Sequence, residues 1–343
     1  MNLTRWLALA AATAVAHAES PYGPFSDEDF PFHTCTLDLR NLGNGHAKGN
    51  LVPRAIVLKL GEDHYACWDP DLLRIAAFWK DGFVEMGGMA AHSYPPGRAR
   101  QKVPQGMGAL PKILGTPIFT NGQHPGWSSG NEPSFKDPRP RAPNPGETGL
   151  GALPPALARW NGIYRTAEGV TLSYEIAGIP LLESPRLLTK EFTHGLSRNF
   201  QLRELATRQL NLVACEVPNA HSAKIDPKTG AALLYHDASK QTVTAVGLFS
   251  PRQKLRLAIH EDRRILVQVP KGTNPTMFQV VTWRGRTEQL PALQKMLKTG
   301  IQTVNVQRGG PATWLEVEHT EITEESAAVG YVVEELRLPL PNR

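Results

Sequence analysis

Asn50–Ala90, with the sequence NLVPRAIVLKLGEDHYACWDPDLLRIAAFWKDGFVEMGGMA, is the stretch that decides the fold of this chain. Short apolar runs alternate with turn residues, and runs of this length favour strands over helices. The stretch therefore predicts four strands joined by tight turns. The last turn is at Asp81-Gly82, where a hairpin needs a positive φ. The alternative is a helix from Asp71 to Trp79 with an aspartate at its N-cap.

Two aspartates at one corner of this stretch, Asp69 and Asp71, are the first candidates for chemistry, together with Arg74. Carboxylates this close in sequence can bind a hard cation or share a proton. Asp and Pro also favour turns, and Arg74 can pair with a carboxylate at the surface. The loop lacks the further oxygen ligands of a calcium motif, so we favour the turn and predict no metal site. The three residues stay candidates for ligand binding.

The same pattern of short strands continues along most of the chain. Val170–Ile176 alternates apolar and polar residues, as a half-buried strand does. Glu288–Lys298 has leucines at helical spacing, with Gly300 as a stop signal. We therefore predict a mainly β protein of packed antiparallel sheets (sandwich-like), with long Pro/Gly-rich loops and one short C-terminal helix.

Ala91–Pro155 is rich in proline and glycine and shows little periodicity. A segment of this length is normally functional or disordered, and its aromatic residues argue against disorder. We expect an ordered loop laid over a sheet, in which Trp127 is either a stacking platform for a sugar or a packing anchor. The predicted division is an N-terminal β region at 19–155 and a C-terminal β region at 156–343, packed together as one unit.

Met1–Ala18 has the organisation of a secretory signal peptide. Arg5 supplies the positive charge, Trp6–Val15 is apolar, and Ala16-His17-Ala18 is a small-x-small cleavage site. We expect cleavage near Ala18 and a periplasmic or secreted protein. No later apolar run is long enough to span a bilayer, so no membrane span is predicted.

The charge of the chain gives little indication of a nucleic-acid partner. The net charge is +5, from 37 basic and 32 acidic residues, and the pI is about 9.1. Arg98-Ala99-Arg100 and Arg263-Arg264 are too small to form a basic patch for nucleic acid. We predict a mildly basic surface and no nucleic-acid partner.

Three cysteines are present: Cys35, Cys67 and Cys215. Export permits a disulfide, and Cys35 with Cys67 is a plausible pair; buried free thiols are the alternative. No Cys-x-x-Cys-His motif occurs, so we predict no covalently bound haem and no cofactor. His64 is three residues from Cys67, but no second pair completes a zinc site.

Several short sequence motifs of this chain occur together in a known order. They are AIVLKLG (Ala55–Gly61), YACWDPDLLR (Tyr65–Arg74), FKDPR (Phe135–Arg139), LP (Leu153-Pro154), RWNG (Arg159–Gly162) and LSY (Leu172–Tyr174). In order and spacing the chain resembles an uncharacterised domain of exported bacterial proteins, a domain of unknown function. The resemblance extends over most of the chain, from Phe30 to Leu338.

This resemblance implies which domains accompany this one, but it does not imply a reaction. Such domains are typically found ahead of a sugar-dehydrogenase-like β-propeller and a c-type cytochrome module. The resemblance therefore implies a cytochrome or dehydrogenase partner. Because the sequence stops at Arg343 without a propeller or a haem motif, we expect either a separately encoded partner or the N-terminal fragment of a larger haem-containing dehydrogenase. No catalytic residues are established for the domain, so none transfer.

A non-catalytic module that binds a carbohydrate or docks a partner is the function that these features favour. Sugar sites combine aromatic platforms with polar groups. The candidate ligand-binding residues of this kind are Trp127, Trp160, Asn161 and Tyr174.

A glycan-active enzyme with paired carboxylates is the alternative function. Hydrolysis needs two carboxyl groups about 5–10 Å apart. The candidates are Asp69, Asp71, Glu175 and Glu183. A serine nucleophile is disfavoured because there is no Gly-x-Ser-x-Gly motif. His194 can place an imidazole in a cleft, but a lone histidine is more often structural.

Overall fold

A computed structural model describes a large part of the chain. The described residues are 30–40, 42, 50–85, 110–140, 151–167, 169–190, 193–250, 254–298, 322–326 and 332–336. The predicted signal peptide, Met1–Ala18, lies outside them, as do 91–109 and 141–150 of the Pro/Gly-rich segment. Among the residues described, no helix has the length and apolar character needed to cross a membrane.

The fold is mainly β, as the sequence predicts. Among the described residues there is a single α-helix, α1 (Leu290–Lys298), which follows a 3-10 turn at Thr287–Gln289 and lies within the predicted segment. In chain order the strands are β1 (Phe32–Asp38), β2 (Leu51–Gly61), β3 (His64–Asp69), β4 (Arg74–Lys80), β5 (Val84–Glu85), β6 (Lys112–Ile113), β7 (Thr116–Thr120), β8 (Trp127–Ser129), β9 (Ala158–Thr166), β10 (Gly169–Ile176), β11 (Ile179–Lys190), β12 (Thr193–Leu202), β13 (Leu210–Glu216), β14 (Ser222–Ile225), β15 (Ala232–Tyr235), β16 (Thr242–Phe249), β17 (Arg256–His260), β18 (Arg264–Val269), β19 (Thr276–Arg286), β20 (Ile322–Ser326) and β21 (Val332–Leu336).

The first sheet is built mainly from the stretch that starts at Asn50. Its five strands are antiparallel, in the order β1-β2-β3-β4-β7, and β5 pairs separately with β6. The alternative helix over this region is wrong. Leu73 adopts a left-handed φ of 50°, which a right-handed helix does not accept, and β4 is buried on both faces. Asp81 and Gly82 have φ values of 62° and 141°, as the predicted turn requires.

Two further antiparallel sheets complete the main body. The second sheet has eight strands in the order β14-β15-β16-β19-β12-β11-β10-β9, and the third has four in the order β17-β18-β13-β8. The predicted alternating strand Val170–Ile176 lies within β10, next to the edge strand β9. The described part of the Pro/Gly-rich segment contributes β6, β7 and β8, so it pairs with two sheets rather than only covering them.

One hydrophobic core fills the space between the three sheets. Trp68 comes from the first sheet, Phe200 from the second and Leu212 from the third, and each is fully buried. Burial of side chains of this size stabilises the fold by roughly 1.5–3 kcal/mol each. The prediction of packed antiparallel sheets is confirmed.

Helix α1 packs on the opposite, outer face of the second sheet. Leu290 and Leu293 are buried there against Val281 and Trp283, and Leu297 packs beside them. The leucine spacing that predicts the helix thus also supplies its contact face. The helix covers the β15-β16-β19 side of the sheet.

The chain divides into two compact units, Met1–Arg308 and Gly309–Arg343. All three large sheets belong to the first unit. In the second unit the described residues form the antiparallel hairpin β20-β21. The predicted boundary between 19–155 and 156–343 falls inside the first unit, where side chains from both regions share the core; it stays a prediction.

Candidate functional site

The corner between β3 and β4 holds Asp69, Asp71 and Arg74, and all three are buried. The Asp69 carboxylate accepts hydrogen bonds of 3.0 and 3.3 Å from the backbone N–H groups of Asp71 and Leu72. It also accepts one of 3.0 Å from Arg74 Nε. Asp69 therefore closes the turn and balances the charge of Arg74. The predicted pairing is present, but its placement at the surface is wrong, because Arg74 is only 2% exposed.

The remaining donors of Arg74 tie this corner to a distant loop. Its Nη1 donates to the carbonyl oxygens of Asn121 and Gly122, at 3.0 and 2.5 Å, and its Nη2 donates to Asn50 Oδ1 at 2.9 Å. Arg54 forms an ion pair with Asp71. Each aspartate thus has an arginine partner, and the two acids are not left side by side to share a proton. In the described ranges, no group of three or more His, Cys, Asp or Glu side chains is arranged to hold a metal ion.

The aromatic candidates Trp127 and Tyr174 lie in the core. Trp127 is 5% exposed, and its ring lies 6.4 Å from that of Tyr174 and 5.9 Å from that of Phe200. Tyr174 is fully buried. Neither ring presents a face to solvent, so the packing-anchor interpretation describes the position of Trp127. Trp160 is half-buried and packs near Trp68, at 6.1 Å between ring centroids.

Glu183, a candidate carboxylate of the enzyme hypothesis, is held in a buried ion pair. Arg198 donates to it from Nε at 2.6 Å and from Nη2 at 3.0 Å. The Tyr174 hydroxyl donates to the same carboxylate at 2.7 Å. Burial and the adjacent Glu183 charge raise the pKa of the Tyr174 hydroxyl well above its usual range. No pattern in the sequence indicates Arg198, which the pairing of β11 with β12 brings beside Glu183.

Cys35 and Cys67 do not form the predicted disulfide; both are buried free thiols, as is Cys215. They lie on β1 and β3, on either side of β2, opposite Ala55 and Val57 respectively. Two strand spacings separate their Cα atoms by about 9.5 Å or more. A disulfide needs roughly 4.4–6.8 Å between Cα atoms, so the fold keeps these thiols apart.

His194 lies on β12, away from the cleft described below, and stacks on His64 with 4.7 Å between ring centroids. Its Nδ1 is 3.7 Å from Glu62 Oε2. Burial, and to a smaller extent the charge of His194, lowers the pKa of His64. This contact joins the first sheet to the second, and it is a structural position for the histidine.

An open cleft of about 620 Å³ lies on the outer face of the second sheet, at its β9 edge. Along β9 and β10 its lining side chains alternate with the core side chains Trp160 and Tyr174. This alternation directs polar groups away from the core. The polar and aromatic residues that line the cleft are Arg159, Asn161, Tyr164, Ser173, Glu175, Arg203 and Glu204.

Asn161 occupies an irregular position in the strand pairing that shapes this cleft. Gly162 pairs with Ser173 and Trp160 pairs with Tyr174, so Asn161 is the extra residue of a β-bulge. Gly162 has a φ of 142°, which a residue with a side chain rarely adopts. Bulges re-aim side chains and occur often beside functional sites. Here the exposed Asn161 side chain donates a hydrogen bond of 3.1 Å to Glu175 Oε1.

The floor of the cleft spans three strands. Glu175 on β10 lies directly opposite Arg159 on β9 and Pro180 on β11. The backbone N–H of Arg203 donates to the Pro180 carbonyl at 3.2 Å, which brings Arg203 and Glu204 to the same end. The arrangement places two guanidinium groups, two carboxylates and one amide around an open, solvent-filled space, and groups of this kind recognise hydroxyl-rich or charged ligands.

Of the residues proposed from the sequence, the cleft brings together Asn161 and Glu175. Asp69, Asp71, Arg74, Trp127, Tyr174 and Glu183 lie elsewhere, in the interior. The sequence pattern that could have indicated Arg159 and Ser173 is the alternation of side chains in 158–161 (ARWN) and in 173–175 (SYE). Arg203 and Glu204 follow β12 and have no such signal, because only the sheet order brings that loop next to β10.

Comparison with known families gives one match. Residues 66–183 match a family described as a domain of unknown function (DUF6797). No curated protein and no solved structure matches the chain. The matched region contains the corner at Asp69 and the β9-β10 side of the cleft, but it ends before Arg203 and Glu204. Residues 66–183 therefore correspond to an uncharacterised domain of unknown function, as the resemblance in the sequence implies. The match says nothing about dehydrogenase or cytochrome modules.

Proposed function

We propose that this chain is an exported, β-rich, non-catalytic module that binds carbohydrate in the cleft beside β9. The observation that carries the proposal is the set of hydrogen-bonding groups around that cleft, with Asn161, Glu175 and Arg203 among them. Sugar hydroxyls need both donors and acceptors, and amide, carboxylate and guanidinium groups supply them. The ring of Tyr164, half-buried in the wall, adds an apolar surface for a sugar face.

The rigid position of the cleft supports this proposal. Its lining residues on β9 and β10 belong to the sheet, and the side chains beneath them belong to the core. A binding site on strands holds its groups in place better than one on loops does. The volume of about 620 Å³ is in the range of small-molecule sites and accommodates a short oligosaccharide.

The non-catalytic part of the proposal is supported by the partners of the candidate acids. Asp69, Asp71 and Glu183 are buried, and each forms an ion pair with an arginine, which occupies the carboxylate and keeps it out of reach of solvent. Glu175 is engaged by Asn161. A general acid must instead hold a proton near its operating pH.

The test is glycan binding by the full chain, measured first on an array and then by calorimetry with the best oligosaccharide. Asn161→Ala should weaken glycan binding about tenfold, because it removes from the cleft one group that forms a hydrogen bond with the ligand. Asn131→Ala is the matched control, since Asn131 is exposed and does not line the cleft. If both variants bind the glycan as tightly as the parent does, the binding site is misassigned. If the parent binds no glycan, the proposed function is wrong.

A glycan-active enzyme is the second candidate, favoured by one observation. Glu175 and Glu204 line the same cleft, and a glycosidase needs two such carboxyl groups. The test is the release of reducing ends from the glycan that binds. Turnover that is lost in both Glu175→Gln and Glu204→Gln would replace the non-catalytic proposal. No release by the parent protein at high concentration would remove the enzyme candidate.

We further propose export by the predicted signal peptide and contact with a dehydrogenase or cytochrome partner, both on the strength of the sequence. Protein isolated from its host should begin near Glu19, as N-terminal sequencing would determine. Affinity capture from the same extract, followed by haem staining, tests the partner. Recovery of no haem protein and no dehydrogenase would sink that association while leaving the cleft proposal standing.

A further inference from the structure

Two arginines of the cleft have no interaction partner for their side chains within the described ranges. Arg159 and Arg203 are exposed, and neither forms an ion pair, a side-chain hydrogen bond or a ring contact there. Arg208 is the other arginine of this kind in the described ranges. The remaining arginines of these ranges each have such a contact: Arg40, Arg54, Arg74, Arg139, Arg165, Arg186, Arg198, Arg256, Arg263, Arg264, Arg284 and Arg286.

The absence of an ion pair at Arg159 is notable because a carboxylate lies directly opposite. Glu175 is its partner in the strand register, but the amide of Asn161 donates to Glu175 Oε1. Asn161, at the bulge, is therefore the side-chain partner of Glu175, and the Arg159 guanidinium is left for another acceptor. A guanidinium group binds a planar carboxylate or a sulfate through two parallel hydrogen bonds.

Arg203 lies on the other side of the same floor. Its backbone is bonded to Pro180, which is two strands away from Arg159. Arg203 lies one strand beyond Pro180, so three strand spacings, about 14 Å, separate the backbones of Arg159 and Arg203, a span that a short oligosaccharide can fill. The two guanidinium groups thus flank the position that a bound sugar occupies in the proposed function.

We propose that the cleft selects anionic sugars, those that carry a carboxylate or a sulfate, through Arg159 and Arg203. This inference rests on the proposed function and adds the substrate class. Asn161 and Glu204 then contact hydroxyl groups, while each arginine contacts an acidic group of the ligand on its own side of the cleft. An anionic polysaccharide is also attracted by the net charge of +5, so the test must separate the site from the overall charge.

The experiment compares an acidic oligosaccharide with its uncharged ester and with a sulfated oligosaccharide. Calorimetry on the full chain uses an oligogalacturonide, its methyl-esterified form and a sulfated galactan oligosaccharide, each at low and at moderate salt. The acidic ligand should bind at least about tenfold more tightly than its ester. Tighter binding of the galacturonide identifies a carboxylate site, and tighter binding of the sulfated ligand identifies a sulfate site.

The variants Arg159→Gln and Arg203→Gln should each weaken binding of the acidic ligand more than binding of the ester, and so remove most of the preference for the acidic ligand. Arg208→Gln is the matched control, because it removes one equally exposed charge outside the cleft. Equal loss in all three variants would overturn the inference in favour of overall charge. Equal affinity for acid and ester would also overturn it, while the proposed function would stand. No binding of any glycan would overturn both.

Discussion

Arg198 holds Glu183 through two hydrogen bonds, of 2.6 and 3.0 Å, inside the core that the three sheets share. Both side chains are essentially without solvent exposure. The Tyr174 hydroxyl completes the group. A buried pair of this kind is costly to break, because removal of one partner leaves an uncompensated charge.

Arg198→Met should therefore lower the free energy of unfolding by about 3–5 kcal/mol. Urea unfolding followed by tryptophan fluorescence measures the change. The double variant Glu183→Gln with Arg198→Met should recover part of the loss, because no charge is then left unpaired. Arg208→Met, at an exposed position, is the control and should lie within about 0.5 kcal/mol of the parent. If Arg198→Met also lowered the free energy of unfolding by only about 0.5 kcal/mol, the structural role of Arg198 would be contradicted.

Trp127→Ala should destabilise the protein rather than abolish a binding surface. The ring is nearly fully buried against Tyr174 and Phe200, so its removal leaves a cavity that costs about 3–5 kcal/mol. The folded fraction should bind the glycan found for the cleft with unchanged affinity, measured at low temperature where the variant is folded. A selective loss of affinity in stable, folded protein would return Trp127 to the ligand-binding residues.

The carboxyl of Glu216 should contribute to the loss of stability, measured as the free energy of unfolding, at acid pH. Its burial alone would raise the pKa, but the hydrogen bond and charge of His124 and the charge of Arg264 outweigh it and lower the pKa to about 2. A lowered pKa stabilises the fold above the ordinary value of 4.5, and this stability is lost as the pH falls from 4.5 towards 2. The contribution at neutral pH is about 3 kcal/mol.

Glu216→Gln is the variant that tests this. Its unfolding free energy should be lower than that of the parent at pH 7, and the difference should shrink between pH 4.5 and pH 2. Urea titrations across that range measure it. Asp262→Asn, at an exposed neighbouring position, should leave the loss of stability at acid pH as it is. Parallel curves for the parent and Glu216→Gln over the whole range would exclude the linkage.

All three cysteines should be present as thiols and unreactive in the native protein. Burial raises the pKa of Cys35 to about 11 and raises that of Cys67 well above its usual range. A thiol reagent should therefore label none of them at pH 8 in buffer and all of them in denaturant, and mass spectrometry gives the number. Protein purified without a reducing agent is the stringent sample. Only one labelled thiol after denaturation, with two more after reduction, would indicate a disulfide that this fold does not contain.

Strand β10 of the second sheet was predictable because it carries its own alternation of apolar and polar residues. In β10, Leu172 and Tyr174 face the core, and Ser173 and Glu175 face the cleft, as a period of two requires. The turn at Asp81-Gly82 was equally local. In contrast, Trp127 could not be assigned to the core from its neighbours in sequence, because an aromatic residue beside glycine and serine occurs both in clefts and in cores.

Contacts between distant segments determined the candidate site. Asn161 is close in sequence to Arg159, but Arg203 reaches them only because β11 returns beside β10 and the loop after β12 bonds to Pro180. The choice between a Cys35–Cys67 disulfide and buried free thiols, which the sequence left open, was decided by the same kind of contact. Sequence separation between Cys35 and Cys67 permits a bridge, whereas the strand between them forbids it.

The sequence by itself determined that the described part of the chain is mainly β, with a short helix at Leu290–Lys298, since strand and helix periods are properties of neighbouring residues. Only the tertiary structure decided which polar residues share a cleft and which carboxylates are held by arginines. Burial and pairing depend on sheet order, and sheet order is set by the packing of the whole core rather than by any one segment.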